Sequence, residues 1–225
     1  DGSYTLRYAA TAGATVHISV TARSTLGART LAVRRANNTN LHAFGGADFA
    51  AAASATQDVL VTYSSDEAEA FNIFDQAVLA FDWLHYHLNA TAPAALTLRW
   101  HRNNNDGTYY SDNEVFLLGP LSDDDGYDDT VILHEIGHHV EEAIGRSDSP
   151  GGDHAFEPVD PTLAWSEGFS TWFALSMRKS PWYSDTDSSG GWGWEYDDSV
   201  TVFDGGSLSG LISEDVVTET LWDLS

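Results

Sequence analysis

The sequence predicts an α+β domain in which a mixed β-sheet lies over a helix carrying the chemistry, preceded by a small β-rich region. Three observations carry that expectation. Residues 1–57 hold short alternating segments punctuated by glycines, the pattern of half-exposed strands. Residues 58–225 mix three further strand patterns with four stretches whose apolar residues recur at helical spacing. One helical stretch contains His134, Glu135 and His138, and residues four apart share a helix face. A chain of 225 residues accommodates one generous domain, or one domain with an appendage, and the change of pattern divides it at 57/58.

In the β-rich region, Tyr4–Tyr8 and Val16–Val20 alternate as strands, and Leu31–Arg35 and Leu41–Phe44 continue the set. Gly13, Gly27, Gly45 and Gly46 mark turns, and His17 and His42 read as ordinary strand residues. The Ala-rich run Phe49–Ala55 reads as a boundary loop, and Val59–Tyr63 as another strand. Ser64 with Glu67 has the form of a capping box before a long helix reaching Asn89. Phe71, Phe74, Val78, Phe81, Leu84 and Leu88 line one side of it, and Pro93 closes the region. His85 and His87, two residues apart, face different directions and do not suit a shared metal.

Ala95–His101 alternates as a strand, Arg102–Gly107 is an Asn-rich turn, and Asn113–Leu118 is a further strand. Val115–Leu118 is expected at the rim of a cleft, where an extended peptide can add through main-chain hydrogen bonds; an interior strand is the alternative. The acidic run Ser122–Asp129 can bind calcium through clustered oxygens but lacks EF-hand spacing, so a solvated turn with capping duty competes with that role.

The next helix is the centre of the chain. Val131, Ile132, Ile136, Val140 and Ile144 give it a buried face. The preceding aspartates suit the positive end of its dipole, and Gly145 suits its end. Gly137 costs about 1 kcal/mol against Ala in a helix, which predicts a close neighbour on that face. The imidazoles of His134 and His138 can hold one metal ion, and the Glu135 carboxylate beside them can reach a water on it. That is the zinc-hydrolase pattern with the glutamate as general base. A core helix that merely carries two histidines is the plainer alternative.

Two histidines need a third ligand. A further His six residues on, with Gly at the third, is excluded, since those positions hold Ile144 and Glu141. Asp153, His154 and Glu167 remain. Glu167 lies in a helix opened by Asp160 as N-cap and Pro161 in the first turn, with Leu163, Ala164, Phe169, Trp172, Phe173 and Met177 as apolar surface. A glutamate is costly to bury there unless paired or metal-bound, which favours it.

His134-Glu135-x-x-His138 followed by Trp165-Ser166-Glu167-Gly168-Phe169 resembles the gluzincin group of zinc metallopeptidases, over Asp128–Met177 and more faintly over Ser213–Leu224. The resemblance implies a zincin-like catalytic domain, with Zn2+ on His134, His138 and Glu167 and with Glu135 as base. Some gluzincins place an Asp four residues after the ligand glutamate to support a zinc histidine. That position is Thr171 here, so the supporting group is expected from elsewhere.

Lys179–Asp198, rich in Ser, Gly, Asp and Trp, reads as a long loop whose aromatics mostly cover the core. Glu214–Leu224 is a last helical pattern through Val216, Val217, Leu221 and Leu224; it stops without a capping signal, as if the natural protein ran on. No apolar run of membrane length occurs, Asp1 opens no signal peptide, and cysteine is absent. The formal charge is -24, from 34 acidic and 10 basic residues, with Lys179 the only lysine. Such a surface repels nucleic acid and anionic membranes. It fits either adaptation to high salt or an acidic secreted protein. The expected activity is hydrolysis of peptide bonds by water activated at zinc, as a secreted, monomeric endopeptidase acting on peptides or proteins. An aminopeptidase-like hydrolase and a silent zinc-binding module are the rivals. His154, Tyr183 and Tyr196 are candidates, by residue type, for the donor to the oxyanion.

Overall fold

A computed structural model describes residues 3–26, 29–88, 95–154, 158–196 and 212–225. In chain order the described elements are β1 (Thr15–Val16), β2 (Ser19–Thr21), β3 (Arg23–Leu26), β4 (Arg29–Arg34), β5 (Ala43–Gly45), β6 (Phe49–Ala50), α1 (Ala68–Leu88), β7 (Ala95–Arg99), β8 (Tyr109–Ser111), β9 (Glu114–Phe116), α2 (Asp129–Ile144), α3 (Pro161–Arg178), β10 (Trp182–Asp187), β11 (Gly190–Glu195) and α4 (Glu214–Leu224). The mixed α+β character matches the sequence reading. The turn expected at Gly27, the helix end at Asn89 and Pro93, and the last residues of the 179–198 stretch lie outside the described residues.

The main sheet has five strands in the order β3-β4-β7-β9-β8. β4, β7 and β9 run parallel, and β3 and β8 close the sides antiparallel. Parallel neighbours need a crossover connection, and α1 lies in the one between β4 and β7. The sheet's buried residues Leu31, Val33, Leu96, Leu98, Val115 and Leu117 pack into one core with Ile73, Ala77, Ala80 and Leu84 of α1 and Ile132, Leu133, Ile136 and Val140 of α2. The sheet thus draws strands from both sides of residue 57, so β3 and β4 of the β-rich region share one sheet and one core with residues 58–225. Smaller antiparallel pairs, β1 with β6 and β2 with β5, sit beside it, and the Phe49–Ala55 run supplies β6 rather than only a loop.

Several local expectations fail for identifiable reasons. Tyr4–Tyr8 and Val59–Tyr63 have strand-like patterns but form no strand ladder among the described residues, and Leu6, Leu60 and Tyr63 are 60%, 72% and 82% exposed. Alternation makes a strand only where a partner ladder and a covered face exist. The Ser64–Glu67 capping box does not form. Glu67 instead spends its carboxylate on Arg35 Nη2 and on His42 Nδ1, each at 2.5 Å. His42 is therefore a fully buried structural histidine, with its Nε2 2.9 Å from the Trp100 carbonyl. β9 is interior, flanked by β7 and β8, so Val115–Leu118 is not the rim; that place belongs to β8. Residues 182–195 of the expected loop form the β10–β11 hairpin, paired from Trp182↔Glu195 to Asp187↔Gly190.

Candidate metal centre

α2 and α3 cross closely. A Cβ at Gly137 would stand 2.7 Å from Ser170 Cα, so the neighbour predicted from this glycine is the α3 backbone itself. α3 begins where the sequence indicated: Asp160 accepts from the Thr162 amide at 2.9 Å and Pro161 occupies the first turn. The crossing brings the expected ligands together. His134 Nε2, His138 Nε2 and Glu167 Oε2 form a triangle with all three sides 3.2 Å. Zinc bonds of about 2.0–2.1 Å in tetrahedral arrangement put ligand atoms roughly 3.3 Å apart. The donors are two imidazole nitrogens and one carboxylate oxygen, so atom types, spacing and convergence all fit Zn2+ with a fourth direction left open.

Electrostatics follow from that convergence. Burial pushes the Glu167 carboxyl up, but hydrogen bonds and positive charge from His134 and His138 outweigh it and hold the acid well below the usual range. For His138, burial opposes the charged form, and Glu167, Glu135 and Glu141 overcome it, so its pKa is raised.

The imidazoles are fixed from behind. His134 Nδ1 is 3.0 Å from Thr171 Oγ1, so the residue found where an Asp is common is itself the partner. The expectation that the support comes from elsewhere is thereby corrected, and His138 has partners of its own. Its Nδ1 lies 3.0 Å from Ser170 Oγ and 3.2 Å from Ser166 Oγ. Ser166 in turn donates to Glu141 Oε2 at 2.7 Å.

The triangle opens into a cleft of about 970 Å³. Glu135 lines it without taking part in the triangle. β8 forms one side, and Tyr183, Trp192 and Trp194 of the hairpin form another. Trp192 and Trp194 stack at 4.8 Å, and Tyr183 lies edge-on to His134 at 6.3 Å, so these aromatics face the cleft and do not simply cover the core. Tyr110 of β8 donates to Glu142 of α2 at 2.5 Å, tying the edge strand to the metal-site helix.

The remaining candidates separate clearly. Asp153 is exposed and stands outside the triangle. His154 lies beside it, with Nε2 3.5 Å from Glu167 Oε2 and Nδ1 2.9 Å from Glu214 Oε2. The Glu214 hydrogen bond raises its pKa, burial opposes this, and Glu167 adds to it. α4 delivers Glu214 because α3 meets it at Gly168, where a Cβ would stand 2.6 Å from the Glu214 carbonyl oxygen. Tyr196 Oη is committed to Asp215 Oδ1 at 2.9 Å, which removes it as a free donor.

Of the acidic run, Asp124 is engaged by Trp100 Nε1 at 3.1 Å and Asp128 by Thr186 Oγ1 at 2.9 Å, while Asp129 pairs with Arg178 at 2.7 Å. Asp123 and Asp125 face the cleft with Asp185 of the hairpin, each offering an oxygen within 4.8 Å of the others. Asp125 is buried rather than solvated: desolvation pushes it up to about 7, against a hydrogen bond from Thr108, with Asp185 and Asp123 adding. Burial and the charges of Asp128 and Asp123 push Asp185 to about 6.

The family model of the mycolysin C-terminal domain matches residues 83–224, which include α2, α3 and α4. The chain belongs to this family. It is metallopeptidase-related, and the triad of His134, His138 and Glu167 falls inside the matched span. No curated protein matches the chain in sequence. Among solved structures, the chain is similar to the precursor of protealysin, a metalloproteinase from Serratia proteamaculans, at 12% identity and a TM-score of 0.43. That similarity covers 70% of this chain and 45% of the other, so the chain matches less than half of its length. No described helix is long and apolar enough to cross a membrane.

Reasoning from sequence missed Thr171, Ser166, Ser170 and Glu141 behind the histidines, Glu214 behind His154, and Asp185. Thr171, Ser166 and Ser170 are readable in hindsight: Ser170 and Thr171 follow Glu167 by three and four residues on α3, and Ser166 precedes Ser170 by four. Glu214 and Asp185 carry no local signal, since only the tertiary fold brings them in.

Proposed function

We propose that this chain is the zincin-like catalytic domain of a gluzincin-type zinc metallopeptidase, hydrolysing internal peptide bonds of peptide or protein substrates. The single observation behind this reading is the triangle of His134, His138 and Glu167, with Glu135 beside it in a large cleft. His134, His138 and Glu167 would hold Zn2+. When bound, zinc polarises a carbonyl and lowers the pKa of a water from about 16 towards 7. Glu135 would accept a proton from the water that attacks the carbonyl carbon and pass it to the amine released as the C–N bond breaks. His154, oriented by Glu214, donates to the oxygen on which charge develops. β8 offers the free main-chain edge along which an extended substrate lies, a role first expected of β9.

An intact Glu135 disfavours a silent zinc module, because a structural site needs no base. Lining residues on several sides of the triad favour internal cleavage over trimming of a free amino terminus. We further propose secretion, a monomeric state and no nucleic-acid or membrane partner, from the charge of -24. Calcium at Asp123, Asp125 and Asp185 is a subsidiary proposal that rests on their oxygen donors. The test is digestion of internally quenched peptides beside amino-terminal reporter peptides. Internal cleavage that is lost with a zinc chelator and restored by zinc supports the reading. Cleavage of the amino-terminal reporters alone, or chelator-resistant activity, contradicts it.

A further inference from the structure

Glu141 stands on α2 three residues beyond His138, only 4% exposed, and is absent from the cleft lining. It borders a largely apolar pocket with Trp83, Phe169 and Trp172; Arg146 also lines that pocket but pairs with Asp148 at 2.6 Å. Packing gives no reason for a carboxylate there, and burying one is costly. No arginine, lysine or histidine pairs with it among the described residues. Its Oε1 is buried without a hydrogen-bond partner, and its Oε2 accepts from Ser166 Oγ at 2.7 Å.

The consequence lies one bond further on. A serine hydroxyl carries one proton. With that proton donated to Glu141, Ser166 Oγ can only accept from His138 Nδ1, 3.2 Å away. The imidazole proton then sits on Nδ1, which leaves the Nε2 lone pair facing His134 and Glu167. Ser170 Oγ is also 3.0 Å from Nδ1, but as a bare hydroxyl it can accept or donate and selects neither tautomer. His134 has the single hydroxyl of Thr171 behind it. The two histidines are thus unequally supported, His134 by one neutral hydroxyl and His138 by two, one of them backed by a carboxylate.

We propose that Glu141 is a positioning residue that acts through Ser166 to fix the tautomer and orientation of His138 for the metal. This inference rests on the zinc reading above. It assigns to a carboxylate of the ligand helix itself, reaching across to α3 and back, a support that a direct carboxylate–histidine contact would otherwise give. Outer partners of ligand histidines typically change metal affinity by about 10–100-fold.

The test measures zinc affinity by competition with a chelator, and the melting temperature of the metal-free protein, for wild type, Glu141→Gln, Ser166→Ala, the double variant and Glu141→Met. Ser166→Ala and Glu141→Met should each weaken zinc by about 10–100-fold, Glu141→Gln by less because its amide oxygen can still accept from Ser166, and the double variant by no more than the worse single change. Glu141→Met should weaken zinc while the metal-free melting temperature stays level or rises, because an apolar side chain replaces a buried carboxylate. A merely structural role would lower both. Wild-type zinc affinity in Glu141→Met, or losses that multiply in the double variant, overturn the relay while leaving the zinc reading intact. A wild-type protein that takes up no zinc overturns both.

Discussion

Gly137→Ala sets helix propensity against packing. Propensity alone predicts a gain, since Ala is favoured over Gly by about 1 kcal/mol in a helix interior. Contact geometry predicts the reverse. The new methyl would stand 2.7 Å from Ser170 Cα, 3.0 Å from its Cβ and 3.1 Å from its carbonyl oxygen. Two of those atoms are backbone, so no rotamer change relieves the contact. α2 and α3 must part by roughly 1 Å to reach ordinary carbon contact of about 3.5–4.0 Å. Overpacking of this kind costs about 1–3 kcal/mol, which leaves a net loss of about 0–2 kcal/mol after the propensity gain. At about 2–4 °C per kcal/mol for a chain of this size, the melting temperature falls by up to about 8 °C. The same displacement moves Ser166, Glu167 and Ser170 away from His138 together, so zinc affinity drops by about 10-fold or more. Urea unfolding of the metal-free variant, beside zinc competition, reads both effects. A variant about 1 kcal/mol more stable than wild type with unchanged zinc affinity would refute the close crossing and the loss of affinity expected from it.

Three further outcomes are expected. Glu135→Gln keeps zinc, since Glu135 is outside the triangle, and loses about 10²–10⁴-fold in turnover on a quenched peptide; a wild-type rate would remove it as base. His139 is fully buried against Phe81 and Tyr110, and burial holds its pKa at about 4 instead of 6.5, with Glu142 opposing. Between those values the unfolded chain binds a proton that the folded chain does not, so this contribution to stability is complete above pH 6.5 and is lost as pH falls towards 4. His139→Leu should therefore flatten the pH dependence of unfolding in that window; identical slopes would mean the ring is not desolvated. Sodium chloride at 1 M, where the Debye length is about 3 Å against about 30 Å at 0.01 M, should raise the melting temperature by screening a charge of -24 and should leave activity level or higher. With calcium held fixed, a steady fall in both would leave the acidic surface without a role in salt tolerance.

What the sequence revealed and what it hid divide along physical lines. α2 and α3 were legible because each carries long helical periodicity with its own start signal, and the i, i+4 histidines need only a helix to meet. Gly137 was legible as a contact because a glycine in a strong helix has a cost that demands a neighbour. The β10–β11 hairpin was not, since its glycines, serines and aspartates mask the alternation of Trp192 and Trp194. Tyr4–Tyr8 shows the converse, an alternating pattern with no ladder to join. The outer contacts of the site were hidden for another reason. Thr171 holds a ligand histidine with a hydroxyl where a carboxylate was the signal sought, and the Glu141–Ser166–His138 chain crosses from one helix to another and back. Glu214 and Asp185 reach the cleft only because α4 packs at Gly168 and the hairpin folds over Thr130, whose hydroxyl donates to the Ser184 carbonyl at 2.5 Å.

The measurement closest to the central claim is zinc content per chain after dialysis against a weak chelator, for wild type, Glu135→Gln and Glu167→Gln side by side. Three ligands at 3.2 Å spacing predict one zinc per chain in wild type and in Glu135→Gln, and essentially none in Glu167→Gln with its fold kept. Stoichiometric zinc in Glu167→Gln, with loss instead in Asp153→Ala or His154→Ala, would contradict the assigned ligand set and the gluzincin reading with it.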